Sequence, residues 1–143
     1  MSELCLENQL CFKLYAISRR ITNAYRPILQ NIDITYPQYL VMMVLWKEKK
    51  ITVKELGNRL YLDSGTLTPL LKRLEQKKLL SRQRDSADER SVIISLTTEG
   101  KTLLQKAKKI PKTLDKCLSL NQKEYLHLKN QLDNLLTQLE TNN

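Results

Sequence analysis

The sequence predicts a mainly α-helical chain carrying one small β-hairpin, and three observations lead there. With 3 Gly and 4 Pro in 143 residues it has few turn-rich stretches, which favours helices joined by short loops over a many-stranded sandwich. Most apolar residues recur at helical spacing, with Ser, Thr, Asp or Asn standing where the runs begin. That period breaks once, between residues 80 and 96, where two short β-prone runs flank a charged turn. Hydrophobic residues make up 41%, enough to build a core and too many for a disordered tail.

Taken in order, Leu6, Leu10, Leu14, Ile17 and Ile21 predict a helix from residue 4 to about 28, ending or bending near Pro27. Thr35 is the N-cap and Pro37 a first-turn residue of a second helix. That helix is apolar nearly all round from Tyr39 to Trp46 and is expected to be the most buried. Thr52-Val53-Lys54-Glu55 is a capping box opening a short helix through about Leu60, with Gly57 expected where the next helix packs close. Asp63 and Ser64 cap an amphipathic helix in which Leu67, Leu70, Leu71 and Leu74 face the core. Ser64, Thr66, Thr68, Lys72 and Arg73 are left available to a partner, and Pro69 is expected to sit early enough not to break the helix.

Leu80–Arg84 and Ser91–Leu96 read as two strands joined by the charged turn 85–90. Thr97 caps a further helix running through about Lys109 to Pro111. Asn121-Gln122-Lys123-Glu124 is a second capping box, preceding a terminal helix. The stripe of Tyr125, Leu128, Leu132, Leu135, Leu136 and Leu139 on that helix needs a partner, which suggests subunit contact.

Several function classes are disfavoured. No apolar run reaches the ~18 residues of a membrane span. The acidic start MSELCLENQLCF lacks a basic region followed by an apolar stretch, so a cytoplasmic protein with no membrane partner is expected. The cysteines at 5, 11 and 117 lack the CxxC spacing of a zinc site, and His127 is the sole histidine, so neither metal nor cofactor is expected. In a reducing compartment the three cysteines should be thiols. The net charge of +9 attracts polyanions. Residues 47–90 hold 12 Lys+Arg against 7 Asp+Glu, half of all the basic residues in under a third of the chain. A short helix, an amphipathic helix and a basic hairpin in that order form a winged helix-turn-helix pattern, so double-stranded DNA is the expected partner.

The segments LENQLCFKLYAISR, ITYPQYLVMMVLW, LGNRLYLDSGTLTPLLKRLE and DERSVIISLTTEG together resemble the MarR family of regulators. Within it they resemble the OhrR branch of organic-hydroperoxide sensors, and the SarZ and MgrA regulators are similar. The resemblance spans roughly residues 6–112, with a looser fit through the terminal helix. LDSGTLTPLLKRLE and the DERxVxIxLT hairpin carry it far more specifically than a generic helix-turn-helix would. It implies a single MarR-type domain over 1–143 that forms a homodimer. Residues 1–34 and 98–143 would supply dimerisation helices, and 35–97 the DNA-binding lobe. The helix beginning near Ser64 would enter the major groove of a pseudo-palindromic operator, with Ser64, Thr66, Thr68 and Arg73 reaching bases or phosphates. Asp88 would orient Arg90 into the adjacent minor groove, where narrow A·T-rich sequence favours an arginine; the bland reading of Arg90 is a solvated hairpin-tip charge. Lys72, Arg82 and Arg84 read as phosphate neutralisers or solvated charges.

The same resemblance makes Cys11 the reactive thiol. Taken alone it reads as an inert cysteine on an apolar helix. A peroxide sensor needs a thiolate, and an ordinary cysteine is only a few per cent ionised at neutral pH. A helix start supplies a favourable dipole if Cys11 lies near it. The resemblance adds Tyr25 and Tyr36 as hydroxyl donors to the sulfur from the partner-facing side, and Tyr15, at i+4 from Cys11, is expected to line the same pocket. Cys117, six residues past Pro111, corresponds loosely to a second cysteine that in some OhrR-like proteins resolves the oxidised thiol across the dimer. Cys5 reads as incidental, or as a competitor for that role. Two other hypotheses stand beside this one. One keeps the fold but answers a small aromatic or acidic ligand bound between lobe and stem. The other is a thiol-dependent enzyme, against which no Cys–His pair is evident. A purely structural helical protein would have no need of the basic hairpin.

Overall fold

The computed structural model describes residues 4–111 and 118–142. The chain divides into two units, Met1–Lys109 and Ile110–Asn143. The first opens on a short 3-10 turn, Leu6–Asn8, followed by helix α1, Leu10–Gln30. Pro27 lies inside α1, which does not stop there but runs three residues further. In the last turn a proline forfeits a single amide bond while its fixed φ still suits a helix. The chain then reverses through Asp33, at φ 53°, and the Ile34 amide returns to the Leu29 carbonyl at 3.2 Å.

Helix α2, Tyr36–Glu48, starts on Thr35 with a full capping box whose second arm, Gln38, is buried. Its Val41, Met42 and Leu45 are wholly inaccessible, so this is the most buried helix, as its all-round apolar sequence requires. Strand β1, Lys50–Thr52, was not expected, because three residues are too few to show a period of two. Helix α3, Val53–Leu60, then begins on the Thr52–Glu55 box, and helix α4, Ser64–Gln76, on Asp63, which accepts the Thr66 amide at 2.7 Å. Pro69 is deeper in α4 than the orphan amides of the first turn, so it does cost the bond to the Gly65 carbonyl. The helix continues because Gly65 is exposed and water can take that carbonyl.

Strands β2, Leu80–Arg84, and β3, Val92–Leu96, form the expected hairpin, and β1 adds to its far side in the order β1-β3-β2, all antiparallel. Ile51 and Arg82 both pair with Ile94, which is fully buried. Direct partners share a face, so Leu80, Arg82 and Ile94 look the same way. Helix α5, Thr98–Ala107, begins on Thr97 and is pinned to α2 by Trp46, whose Nε1–H donates to the Gly100 carbonyl at 2.9 Å. The core of this unit gathers Leu29, Met42, Leu45, Leu56, Leu67, Leu71, Leu74 and Ile94. The second unit holds helix α6, Gln122–Thr141, which starts on the Asn121–Glu124 capping box. Its Tyr125, Leu128, Leu132, Leu136 and Leu139 are exposed and Leu135 half-buried. Among the described residues no helix is long and apolar enough to cross a membrane.

Candidate functional site

Helices α3 and α4 meet at a turn that leaves no room for a side chain at Gly57. A Cβ there would lie 2.8 Å from the Leu62 carbonyl and 3.2 Å from Leu67 Cδ1. Tyr61 makes the turn in the left-handed conformation at φ 54°. The Leu62 amide closes it on the Gly57 carbonyl at 3.0 Å. This places α4 across α3 with Leu67, Leu71 and Leu74 inward. At about 100° per residue, the direction opposite that stripe falls on Gly65, Pro69, Lys72 and Gln76, all exposed. Of these, sequence reading singled out Lys72 alone; locating the rest required knowing which leucines are buried.

The expected contact residues divide between the two flanks of α4. Ser64 and Thr68 look toward the wing and line, with Lys54, Asn58 and Arg90, a groove of about 670 Å³ between the helices and the hairpin. Thr66 and Arg73 lie on the other flank, where Arg73 borders a second hollow with Gln38 and Lys77. Lys77 itself is tied to the α1–α2 turn, donating to the Asp33 carbonyl and pairing with its carboxylate at 2.9 Å. In the wing, the Asp88 carboxylate accepts the Arg90 backbone amide at 3.0 Å, and the Ser91 amide closes on the Asp88 carbonyl at 2.9 Å. Asp88 therefore orients Arg90 through its backbone, by an Asx turn, and leaves the exposed guanidinium to a partner. Arg84 is exposed, as either a phosphate neutraliser or a solvated charge would be. Arg82 is not a solvated charge: its Nε and Nη2 both donate to Glu75 Oε2, at 3.0 and 2.7 Å.

Cys11 is the second residue of α1 and is exposed, so it sits in the first turn where the helix dipole favours an anion. Tyr15, one turn on, is 60% exposed and lies under the Arg19 guanidinium, 5.5 Å from its ring centroid. Tyr25 and Tyr36 pack together at the other end of α1, ring centroids 4.6 Å apart. Tyr39 continues the cluster at 5.8 Å from Tyr25, and Trp46 follows at 6.0 Å. Burial raises the Tyr36 hydroxyl above its ordinary value, and burial, then the neighbouring Tyr36, does the same for Tyr39. Both therefore remain protonated donors at neutral pH. Cys11 and Tyr25 stand roughly four turns apart on α1, about 21 Å at 1.5 Å per residue. Within one subunit the tyrosine pair does not reach the sulfur. Cys5 caps the 3-10 turn and donates its thiol proton to the Glu7 carboxylate at 2.8 Å, which lowers the Glu7 carboxyl. Cys117 lies outside the described residues.

Comparison with known proteins adds the following. A family model described as transcriptional regulator SarA/Rot matches residues 23–107. The organic hydroperoxide resistance transcriptional regulator of Bacillus subtilis is 53% identical over 136 residues, covering 95% of this chain and 90% of that protein. The HTH-type transcriptional regulator SarZ of Staphylococcus saprophyticus is 41% identical over 131 residues, covering 92% of this chain and 90% of that one. Among solved structures, reduced AbfR bound to DNA matches with a TM-score of 0.81 at 38% identity, covering 95% of this chain and 93% of the other. Disulfide-formed AbfR, a protein of Staphylococcus epidermidis, matches with a TM-score of 0.62 at 39% identity, covering 95% and 90%.

Proposed function

The chain belongs to the SarA/Rot family of MarR-like transcriptional regulators, and we propose that it is a dimeric, DNA-binding, thiol-gated member of it. Residues 35–97 form the DNA-binding lobe; residues 1–34 and 98–143 supply the dimer contacts. The reading rests above all on one juxtaposition: the exposed Ser64 and Thr68 on the wing-side flank of α4 and the exposed Arg90 line a single groove. A helix in the major groove and an arginine in the neighbouring minor groove need that arrangement. The dimer is supported by apolar surface no monomer keeps in water, Leu10, Ile17 and Phe12 on α1 and the leucine stripe of α6.

The signal is an organic hydroperoxide. The Cys11 thiolate attacks the peroxide oxygen, giving a sulfenate and the alcohol. The Cys117 thiol of the second subunit then attacks the protonated sulfenate, forming a disulfide and releasing water. Tyr25 and Tyr36 hold the sulfur from the opposite subunit by hydroxyl donation. Two recognition helices must lie about 34–36 Å apart to reach successive major grooves, so a modest rotation on disulfide formation ends specific binding. The test is operator affinity before and after cumene hydroperoxide. The wild type is expected to lose binding and Cys11→Ser to keep it; equal loss in both proteins sinks the sensing mechanism. On non-reducing gels, Cys117→Ser is expected to abolish the intersubunit band.

A second reading, response to a small acidic or aromatic ligand, is favoured by a hollow of about 480 Å³ between α1 and α2. It sets Arg26 and Tyr36 beside apolar Leu29 and Ile34. Release of DNA by such a ligand, with no response to hydroperoxide, would establish it instead.

A further inference from the structure

We propose that the Glu75–Arg82 ion pair is a strut that sets the wing against the recognition helix, making Arg82 a positioning residue for Arg90 and not a phosphate contact. The inference rests on the DNA-binding reading above. Glu75 lies in the last turn of α4 and Arg82 is the third residue of β2, so the pair closes the short link 77–79 between helix and hairpin. Arg82 shares the inward face of the sheet with Leu80 and Ile94, and 27% of its side chain is exposed. Two donors of one rigid guanidinium meet a single carboxylate oxygen, which fixes direction as well as distance. The guanidinium also holds the Glu75 carboxyl below its usual range, so the pair is ionised at neutral pH. The link has further braces at its own level: the Thr97 hydroxyl donates to the Lys78 carbonyl at 2.6 Å, the Thr97 amide to the Leu79 carbonyl at 3.4 Å, and Lys77 pairs with Asp33 at 2.9 Å. Among these only the Glu75–Arg82 pair joins α4 to a side chain of β2.

The lever is long. Arg90 lies in the turn four residues before Ile94, the level at which Arg82 is anchored, and so at most about 14 Å from it at 3.4 Å per residue. A hinge rotation of about 10° at the base therefore carries Arg90 by up to about 2 Å, roughly a third of the ≈ 6 Å width of a minor groove and enough to spoil its hydrogen-bond geometry there. Because Arg82 is already neutralised, Lys54 and Arg90 remain as the cations lining the groove without an ion pair among the described residues. Electrostatics and strut predict opposite signs for loss of Glu75. Removing an acidic group beside a polyanion tightens binding; removing a strut weakens it.

The experiment uses the full-length reduced protein and a duplex selected by the wild type from random-sequence DNA. Affinities are measured for the wild type, Glu75→Ala, Arg82→Met, Arg90→Ala and the Arg82→Met/Arg90→Ala double variant, with thermal midpoints recorded for each. Glu75→Ala and Arg82→Met are each expected to weaken binding roughly tenfold, on the order of one lost specific contact. The double variant should bind within about twofold of Arg90→Ala alone, since coupled residues do not add. Tighter binding by Glu75→Ala, or additive losses in the double variant, overturns the strut. A DNA-free arm measures amide hydrogen exchange of Ala87, Arg90 and Ser91. Exchange is expected to rise in Glu75→Ala, and unchanged exchange also overturns the proposal. A wild type that selects no duplex, with the exchange rise intact, refutes DNA binding while leaving the wing restraint standing.

Discussion

Replacing Gly57 by alanine sets two effects against each other whose sizes decide the outcome. Alanine is favoured over glycine inside a helix by about 0.8–1.0 kcal/mol. Against that, the new Cβ meets the Leu62 carbonyl at 2.8 Å, where ordinary contact begins at 3.4 Å. The obstacle is backbone and must retreat by about 0.6 Å, unlike a side-chain tip that can swing away. Leu62 is itself held, its amide donating to the Gly57 carbonyl at 3.0 Å, and that carbonyl also accepts the Tyr61 amide. Overpacking of this kind costs typically 1–3 kcal/mol, and loosening one bond of the turn about 1 kcal/mol more. The net destabilisation is about 2 kcal/mol, or roughly 8 °C in Tm for a chain of this size. Gly65 is the comparison, since its Cβ would meet no backbone, only the capping Asp63 Oδ1 at 3.2 Å, which must give by a few tenths of an ångström while still accepting the Thr66 amide. Gly65→Ala should therefore lower Tm by clearly less than Gly57→Ala. Thermal unfolding of both variants, followed by circular dichroism at one protein concentration, gives the comparison. A Gly57→Ala protein as stable as the wild type refutes the close-packing account of the α3–α4 turn.

Gly100→Ala should be the more damaging, because its Cβ would lie 2.2 Å from the Leu79 carbonyl and 2.6 Å from Leu96 Cδ1; urea midpoints below those of Gly57→Ala are expected. Acid stability follows from the caps. The Thr66 amide holds the Asp63 carboxyl below its usual range, as the Thr52 hydroxyl does for Glu55. A depressed pKa contributes stability above the unfolded value, about 4, that is lost as pH falls through the folded one. Asp63→Asn, which still caps but does not titrate in this range, should match the wild type at pH 7 and lose less on acidification in a urea series. In operator binding, Lys72→Ala should weaken all sequences alike and reduce the salt slope by about 1, whereas Arg90→Ala should also relax the A·T preference under the wing. Equal effects of the two on sequence preference would contradict their assignment to phosphate and minor groove.

The caps and the periods were legible because they are local. Thr35, Thr52, Asp63, Thr97 and Asn121 each accept the amide three residues on, as their positions before apolar runs predicted. What escaped was set by packing between distant segments. Strand β1 exists because Ile51 finds Ile94 across the sheet, a pairing with no signature in Lys50-Ile51-Thr52 itself. Arg82 reads as a surface cation in Leu-Ser-Arg-Gln-Arg until its register beside Ile94 turns it inward toward Glu75. For Pro27 and Pro69 the sequence shows position alone, whereas helix continuity depends on the neighbours that take up or dispense with one amide bond. Gln76 carries no mark of function in sequence, being an exposed polar residue near a helix end.

The thiol chemistry is limited most by a length. α1 is continuous through 21 residues, with Cys11 at its start and Tyr25 in its second half. At 1.5 Å per residue no side-chain rotation brings sulfur and hydroxyl together in one subunit. If the tyrosines activate Cys11 they belong to a second copy running antiparallel to the first, and activation then requires the dimer. Peroxide reactivity should therefore fall with dilution below the dimer dissociation constant, in step with DNA binding, since a pseudo-palindromic operator also needs two heads. Sensor and reader would then share one assembly step: a lone subunit has neither an activated thiol nor the paired recognition helices that its oxidation displaces.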